Sequence, residues 1–262
     1  MPEDKIIFDD GAGYERMMGR WSQLAGEVFL DWLAPPDGLR WVDVGCGNGA
    51  FTEMLVDRCA PVEVQGFDPS EAQLAFARTR PAARLAQFRL GDAMAAPFAD
   101  DAFDAAVMAL VIFFVPEPAK GVAEMVRMVR PGGIVSAYAW DILGGGFPLA
   151  AIGSEMRQLG VAPTLPPSVE AARIEAMRGL WTGAGLETVQ TREITVERTF
   201  ADFEDVWTTS MLASILRQKV AAMPAGDVAL LKERLRARLP AQADGRITYS
   251  ARANAVKGRV PG

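Results

Sequence analysis

The chain has 262 residues, of which 50% are hydrophobic and 23% charged, and its formal net charge is −6. A chain of this length buries a full core, so one large domain, or one domain with a helical cap, is expected. The negative charge argues against nucleic acid as a partner, because binding a phosphate backbone needs a concentrated positive field.

The N-terminal segment and the longest apolar run indicate where the protein is located. The start, Met1 to Lys5, is acidic and has no apolar stretch of the kind found in signal peptides. The longest apolar run, Ala105 to Val115, is too short to span a bilayer and is typical of a central strand buried on both faces. We therefore expect a cytoplasmic protein with no integral membrane segment.

An opening helix is predicted from the spacing of apolar residues near the N-terminus. Met17, Trp21, Leu24, Val28 and Trp32 recur at three- and four-residue steps. Such steps place side chains on one helical face, so this stripe must be buried against the rest of the protein.

A strand at about 41–45 then runs into a glycine-rich turn just before a helix at about 49–58. Gly45, Gly47 and Gly49 lack a Cβ, so the backbone can turn sharply and approach a ligand closely. The following helix points its free N–H groups at the same place. With Ala50, the loop also fits a variant dinucleotide fingerprint, so a nicotinamide or flavin enzyme stays open at this point.

The next two strands, at about 62–67 and 85–90, each run into an acidic residue. Asp68 follows the first, and its carboxylate can accept hydrogen bonds from both hydroxyls of a ribose. Asp92 follows the second and can accept from the exocyclic amine of adenine. An adenine at that position lies differently from one in a dinucleotide.

Strands and helices alternate through the first 140 residues, with further strands at about 103–110 and 133–140. This alternation predicts a parallel sheet covered on both faces. After Asp141 the pattern changes to amphipathic segments at about 148–160 and 168–184. A sixth strand at about 186–197 precedes a helical insert, which Thr199 opens as an N-cap and which ends near Leu239. A last strand is expected at about 246–257.

These motifs resemble, over roughly residues 10–141, the class I S-adenosylmethionine-dependent methyltransferases. The resemblance is to the small-molecule branch with the ubiquinone and menaquinone biosynthesis enzymes, whose domain is methyltransferase type 11. The marks that carry it are Asp43-Val44-Gly45-Cys46-Gly47-Asn48-Gly49, Gly66-Phe67-Asp68-Pro69-Ser70, Gly91-Asp92-Ala93, Pro97-Phe98, Phe103-Asp104 and Val129-Arg130-Pro131-Gly132-Gly133.

The resemblance implies an α/β fold: a Rossmann-like, doubly wound, seven-stranded sheet, mostly parallel with the last strand antiparallel, carrying helical lid insertions. One domain would span 1–262, with a cofactor core at about 36–141. The helical cap would come from about 1–35, 142–185 and 199–240.

The resemblance also implies the cofactor, S-adenosyl-L-methionine, and its product, S-adenosyl-L-homocysteine. The glycine loop would pack against the methionine part, Asp68 would hold the ribose, Asp92 would take the adenine amine and Met94 would lie against the ring. Ala109 and Leu110 would line the same cleft. The remaining cofactor contacts are expected at Asp43, Gly45, Cys46, Gly47, Gly49, Pro69, Ser70 and Ala93.

The segment Tyr14 to Ser22 resembles the opening helix of a subset of these enzymes, in which that helix closes over the cofactor. Arg20 and Tyr14 could then meet the cofactor carboxylate, although a solvated helix face explains Arg20 equally well. For Trp21, core packing is the favoured interpretation.

The sequence contains no histidine, which removes the commonest general base near neutral pH and the usual zinc and non-haem iron sites. We expect no catalytic metal. Asp141, Tyr138 and Tyr14 are the candidates to accept an acceptor proton, and a structural hydrogen bond is the favoured role for Asp141. Methyl transfer gains most of its rate from holding nucleophile, methyl and sulfur in line in a dry cleft.

The predicted function is methyl transfer by in-line displacement to an oxygen, nitrogen or carbon atom of a small, largely apolar molecule. Eight apolar side chains could line the acceptor pocket, although core packing is the favoured interpretation of each by itself: Phe147, Met156, Met177, Trp181, Phe203, Trp207, Met211 and Ile215. Two alternatives remain: a non-catalytic protein that binds S-adenosylmethionine, and a nicotinamide-dependent oxidoreductase. A homodimer is left open.

Overall fold

The structure is a computed structural model, and it describes residues 15–262. Tyr14 lies outside the described residues, and side chains are described from Met17 onward. Seven strands form one sheet in the order β3–β2–β1–β4–β5–β7–β6. The strands are β1 (Arg40–Val44), β2 (Glu63–Asp68), β3 (Ala86–Leu90), β4 (Phe103–Ala109), β5 (Val129–Trp140), β6 (Glu187–Phe200) and β7 (Ile247–Arg259).

The pairing confirms the predicted fold class. Strands β1 to β5 pair in parallel, and β7 pairs antiparallel with both β5 and β6. Because the parallel strands all end at one edge, the loops that follow β1, β2, β3, β4 and β5 gather there. We call this edge the strand-tip edge.

Nine α-helices surround the sheet in the described part of the chain. They are α1 (Arg20–Leu33), α2 (Ala50–Arg58), α3 (Glu71–Ala77), α4 (Pro118–Met128), α5 (Ala150–Gln158), α6 (Ile174–Gly183), α7 (Phe203–Ser210), α8 (Ser214–Ala221) and α9 (Ala225–Arg238). A short π-helical turn, Glu15–Gly19, precedes α1.

Both faces of the sheet are covered. On one face the ring of Tyr138 in β5 packs against Phe29 of α1 and Phe51 of α2, with ring centroids 4.7 and 5.7 Å apart. On the other face Trp181 of α6 is fully buried and donates from Nε1 to the carbonyl oxygen of Val135 at 2.9 Å. Successive strand residues point to opposite faces, which is why Tyr138 and Val135 meet different helices.

Two strands at the edge extend past the strand tips. Trp140, the last residue of β5, pairs with Ala253 of β7, but the β6–β7 ladder continues to the pair Phe200 and Ile247. This extension corrects the predicted start of the helical insert. Thr199 is the penultimate residue of β6, where its hydroxyl contacts that of Thr248 at 2.8 Å. The N-cap of α7 is Asp202, which accepts from the amide of Asp205.

At the opposite edge, charged residues fix the strand starts. Asp104 in β4 accepts from Nε of both Arg40 and Arg130, at 3.1 and 2.5 Å. These contacts, led by the hydrogen bond from Arg40, hold the pKa of Asp104 well below its usual range. Strand β5 begins at Val129, earlier than the predicted residue 133, and the β4–β5 register shifts after its first pair.

A second, smaller apolar cluster lies apart from the main core. Its buried members are Ile152, Met156, Trp207, Val220, Leu231 and Leu235. They come from α5, α7, α8 and α9, so these four helices share their own packing centre. By contrast, α6 carries Met177 and Trp181, two candidates for the acceptor pocket. Both pack into the main core.

Candidate cofactor site

The glycine loop after β1 is bent by three residues with left-handed backbone angles. Gly45, Gly47 and Gly49 have φ values of 72°, 51° and 78°, which favour glycine. A Cβ on Gly45 would lie 2.6 Å from a methyl of Val111, so that position has no space for a side chain. A Cβ on Gly47 would have no atom nearer than 4.0 Å, so this glycine faces open space.

The same loop is tied to the end of β2. The amides of Gly45 and Cys46 both donate to the carbonyl oxygen of Phe67, at 2.8 and 3.0 Å. Cys46 itself is buried, and burial is the main cause that raises the pKa of its thiol well above the usual range. Because the thiolate is the nucleophilic form of cysteine, a protonated Cys46 fills space and does not react.

Asp68 joins the first two strand tips. Its Oδ2 accepts from the amide of Gly47 at 3.0 Å, and its Oδ1 accepts from the amide of Ser70 at 2.8 Å. Burial raises the pKa of this carboxyl group, and the two amides act against that rise. A carboxylate has about four lone-pair sites, so two remain for the hydroxyls of a ribose.

The residues after Asp68 start a helix. The hydroxyl of Ser70 accepts from the amide of Gln73 at 3.4 Å and so caps α3, while Pro69 is exposed. The amide of Gly91 donates to the carbonyl oxygen of Asp68 at 3.2 Å. The tips of β2 and β3 are therefore connected, and Asp92 follows directly.

Asp92 keeps part of its carboxylate for a ligand. Its Oδ1 accepts from the amide of Met94 at 2.7 Å, which closes a tight turn, and the side chain is exposed to solvent. Ala93 and Met94 are half-buried beside it. The predicted contact of Asp92 with an adenine amine, and of Met94 with its ring, stays a prediction.

Asp43, in β1, carries an unsatisfied oxygen below the loop. It is fully buried, and its Oδ2 accepts from the hydroxyl of Thr52 at 2.7 Å, while no described residue donates to its Oδ1. Burial is the main cause that raises the pKa of Asp43 to about 7. A buried polar atom without a partner is costly, which fits a site completed by a bound polar group.

At the tip of β4, Leu110 holds a strained conformation. It is buried with a φ of 63°, a region that residues with a Cβ rarely adopt. Its amide donates to the carbonyl oxygen of Tyr138 at 2.8 Å, and Ala109 before it is half-buried. Strain of this kind is concentrated at ligand sites, and here it turns the chain across the strand-tip edge.

The opening helix places its predicted residues differently. Trp21 is buried, with its ring centroid 5.2 Å from that of Tyr249, so core packing explains it. Arg20 is exposed and donates from Nη1 to Gln23 at 3.0 Å. A contact between Arg20 and a cofactor carboxylate stays a prediction.

Asp141 is held by contacts within the protein. Its Oδ1 accepts from the amide of Gly144 at 3.0 Å, and its Oδ2 accepts from both Nε and Nη2 of Arg252, at 3.0 and 2.5 Å. These contacts pin the loop after β5 to β7, which favours the structural role. Tyr138 is 1% exposed and packed between α1 and α2, so catalysis by either residue stays a prediction.

Sequence reasoning missed the side chains that brace the loops. Arg127 of α4 donates to the carbonyl oxygens of Ala96 and Phe98, at 3.3 and 2.8 Å, while Glu124 accepts from the amide of Ala96 at 2.8 Å. Arg80 makes an equivalent contact with the glycine loop. In each of these contacts the side chain and the backbone group are 28 or more residues apart in the chain, so no local sequence pattern predicts them.

Two kinds of feature are not found in the described residues. Residues 15–262 contain no cluster of three or more aspartate, glutamate or cysteine side chains arranged to hold a metal ion. Within the same range no helix is both long and apolar enough to cross a membrane.

The strand-tip edge thus brings together the predicted ribose and adenine acids, the open glycine and the strained tip of β4. Residues 42–137, which include all of these, match the family described as methyltransferase domain. A ubiquinone/menaquinone biosynthesis C-methyltransferase of Paracoccus denitrificans is 37% identical over 121 residues, which are 45% of this chain and 48% of that protein. An uncharacterized protein of Mycobacterium tuberculosis is 32% identical over 155 residues, 59% of this chain and 56% of that one.

The chain therefore spans about half the length of these curated relatives. Among solved structures, a phosphoethanolamine N-methyltransferase of Haemonchus contortus in complex with S-adenosyl-L-methionine has a TM-score of 0.61 at 18% identity. That likeness covers 99% of this chain and 59% of the other, and it shows the fold. Residues 42–137 match a methyltransferase domain, and the chain has the class I methyltransferase fold.

Proposed function

We propose that this protein transfers a methyl group from S-adenosyl-L-methionine to an oxygen, nitrogen or carbon atom of a small molecule. The observation that carries the proposal is the environment of Asp68. Its carboxylate accepts a hydrogen bond from a backbone amide of the glycine loop and still has free lone pairs at the junction of β1 and β2. With Asp92 at the tip of the neighbouring strand, the order of the two acids suits an adenosine whose ribose and base are held by successive strands.

When bound, S-adenosyl-L-methionine supplies a methyl group on an electron-poor sulfonium, which needs little further activation. The protein's part is then to bind, to orient and to exclude water. The glycine loop lies against the methionine part, Asp68 holds the ribose, and Asp92 and Met94 hold the adenine. Leu110 and Val111 place apolar groups where the acceptor approaches.

The acceptor is proposed to be largely apolar, because the tip of β4 continues into Ile112, Phe113 and Phe114 without a polar side chain. The region matched by the family is the cofactor part, so the acceptor must be chosen elsewhere. We assign that role to the cap helices that share the second cluster, together with the opening helix. Together with the core, these form one domain.

A non-catalytic S-adenosylmethionine-binding protein is the second candidate. The observation that favours it is that both oxygens of Asp141 are engaged and Tyr138 is buried, so no described side chain is marked as an indispensable base. A nicotinamide enzyme shares the glycine loop and Asp68 but gives Asp92 no role. Transfer of a labelled methyl group from the cofactor to any acceptor distinguishes the first proposal from both.

The substitution Asp68→Ala tests the site itself. It should weaken binding of S-adenosyl-L-homocysteine by about 10- to 100-fold, the cost of losing hydrogen bonds to a charged group. Calorimetry measures this, and a circular dichroism melt reports whether the fold is kept. Unchanged affinity in a folded variant would remove Asp68 from the site.

A further inference from the structure

Arg80 is an arginine whose side chain is almost completely covered although it stands outside a helix. It follows α3 and precedes a short 3-10 turn, Pro81–Arg84, and its side chain is only 10% exposed. Arginine is rarely buried without a partner, so its contacts show what it does.

The guanidinium reaches the cofactor loop. Its Nε donates to the carbonyl oxygen of Asn48 at 2.6 Å, and its Nη1 contacts Oε2 of Glu53 in α2 at 2.8 Å. The ring of Phe76 lies below it, with 5.5 Å between the guanidinium carbon and the ring centroid. Asn48 is the residue between Gly47 and Gly49, the two glycines that bend the loop.

These contacts fix one peptide group from both sides. The carbonyl oxygen of Asn48 accepts a hydrogen bond from Arg80. The N–H of Gly49, in the same peptide group, donates to the carbonyl oxygen of Cys46 at 2.9 Å. Glycine rotates between conformations at low cost, so a loop with glycine on both sides of Asn48 has little stiffness of its own. A charge-assisted hydrogen bond of this kind is about twice as strong as a neutral one.

We propose that Arg80 is a positioning residue for cofactor binding, which holds the Asn48–Gly49 peptide so that the glycine loop keeps its ligand-binding shape. The inference rests on the proposed function, because it assigns the loop to S-adenosylmethionine. Arg80 acts through the backbone and touches no reacting atom.

The position of the loop gives the inference a specific signature. By the resemblance, the glycine loop lies against the methionine part of the cofactor, while Asp68 and Asp92 hold the adenosine part. Loss of Arg80 should therefore weaken the binding of S-adenosyl-L-homocysteine more than the binding of 5′-methylthioadenosine, which lacks the amino acid group.

The variants are chosen so that Glu53 is not left as a covered, unpaired charge. Glu53→Gln alone removes the ion pair and keeps the contact between Arg80 and Asn48. The double variant Glu53→Gln with Arg80→Met removes that contact too and keeps an apolar stem over Phe76. Arg78→Ala is the matched control, because Arg78 lies two residues away with an exposed ion pair to Glu71.

Calorimetry should give S-adenosyl-L-homocysteine dissociation constants for Glu53→Gln and Arg78→Ala within about twofold of the wild type. The double variant should bind it about tenfold more weakly, with 5′-methylthioadenosine changed by about twofold or less. Equal losses for both ligands, no loss, or the full loss in Glu53→Gln alone would overturn the inference.

Hydrogen exchange of the ligand-free protein gives a readout that does not depend on the cofactor. Peptides that cover residues 45–52 should exchange faster in the double variant than in Glu53→Gln, while peptides from β4 and β5 stay unchanged. Equal exchange in the loop would overturn the positioning role. If the wild type binds no S-adenosyl-L-homocysteine, the proposed function fails, and this exchange experiment still decides whether Arg80 holds the loop.

Discussion

The strand-tip edge and the cap differ in what holds them together. At the strand-tip edge each turn is fixed by named polar contacts, such as Gly47 to Asp68 and Met94 to Asp92. The cap depends mainly on an apolar cluster formed by α5, α7, α8 and α9, separate from the main core. Polar contacts of defined geometry select one ligand, whereas apolar packing sets only a shape and a volume.

This difference explains why the two halves of the proposed function can be described in different detail. The family match, residues 42–137, covers the strand-tip edge and ends before the cap. The proposed cofactor contacts can therefore be traced to single atoms, and the proposed acceptor contacts only to a group of helices. If the comparison is right, the two regions should respond differently to the same kind of damage.

The largest contrast is expected from removing one tryptophan from the main core, which carries the strand-tip edge, and one from the cap. Trp181→Ala empties a fully buried site in the main core and removes the hydrogen bond to Val135, so global unfolding should become easier by about 3–5 kcal/mol. Trp207→Ala should loosen the cap while the sheet stays folded. Chemical denaturation measures the first effect, and hydrogen exchange over residues 203–238 measures the second.

The binding of S-adenosyl-L-homocysteine sharpens this contrast. The Trp207→Ala variant should keep its affinity for this ligand within about twofold, since no strand-tip contact is lost. A large loss of affinity in this variant would show that the cap and the cofactor site are one unit.

The next largest effect is expected from a side chain placed in the cofactor loop. Gly47→Val should weaken S-adenosyl-L-homocysteine binding more than about 100-fold, because the space in front of Gly47 is the space the ligand needs. Gly38→Val is the control: Gly38 has a φ of 78° and open space around it, but it precedes β1 at the other edge. Calorimetry and thermal melts should show similar destabilisation in both variants and a binding defect in one.

Two aspartates at opposite edges should give opposite pH dependences of stability. The pKa of Asp43 is raised to about 7, so its contribution to stability falls as the pH rises from about 4 to about 7, by about 4 kcal/mol. Asp104 has a lowered pKa, so its contribution is present at neutral pH and is lost as the pH falls through the acid range.

Urea unfolding of Asp43→Asn and Asp104→Asn across this pH range checks the signs. The first variant should lose the decline that the wild type shows towards neutral pH, and the second should be destabilised most at neutral pH. A wild-type and an Asp43→Asn protein with identical slopes would contradict the assigned burial of Asp43.

The smallest effect is expected from Asp141→Asn. The amide keeps an oxygen for the N–H of Gly144 but loses the charge opposite Arg252, so a loss of about 1 kcal/mol is expected for this partly exposed pair. Turnover with an identified acceptor should stay intact. A collapse of turnover at unchanged stability would make Asp141 a catalytic residue.

Local sequence patterns predicted the sheet well, because glycine turns and buried apolar strands are fixed by neighbouring residues. They failed where distant residues decide. Thr199 looks like a helix start, yet pairing with β7 keeps it in a strand. Met177 and Trp181 could have been lid residues, with core packing the favoured interpretation of each, and they pack from α6 into the main core.

The candidate site shows the same division. Asp68 and Asp92 were predicted because each lies within two residues of a strand end, and a strand tip is a local feature. Arg80 and Arg127 were not predicted, since the backbone carbonyls that they contact lie 32 and at least 29 residues away in the sequence. The spacing of residues in the sequence does not predict which arginine contacts which carbonyl oxygen.

The central claim is that the strand-tip edge binds S-adenosylmethionine and not a dinucleotide. It is tested most directly by calorimetric titration of the purified protein with S-adenosyl-L-homocysteine and, separately, with NADH. We predict micromolar binding of the first ligand, about −8 kcal/mol in free energy, and no measurable heat from the second. Binding of NADH alone would contradict the claim and would indicate that the glycine loop and Asp68 belong to a nicotinamide-dependent enzyme.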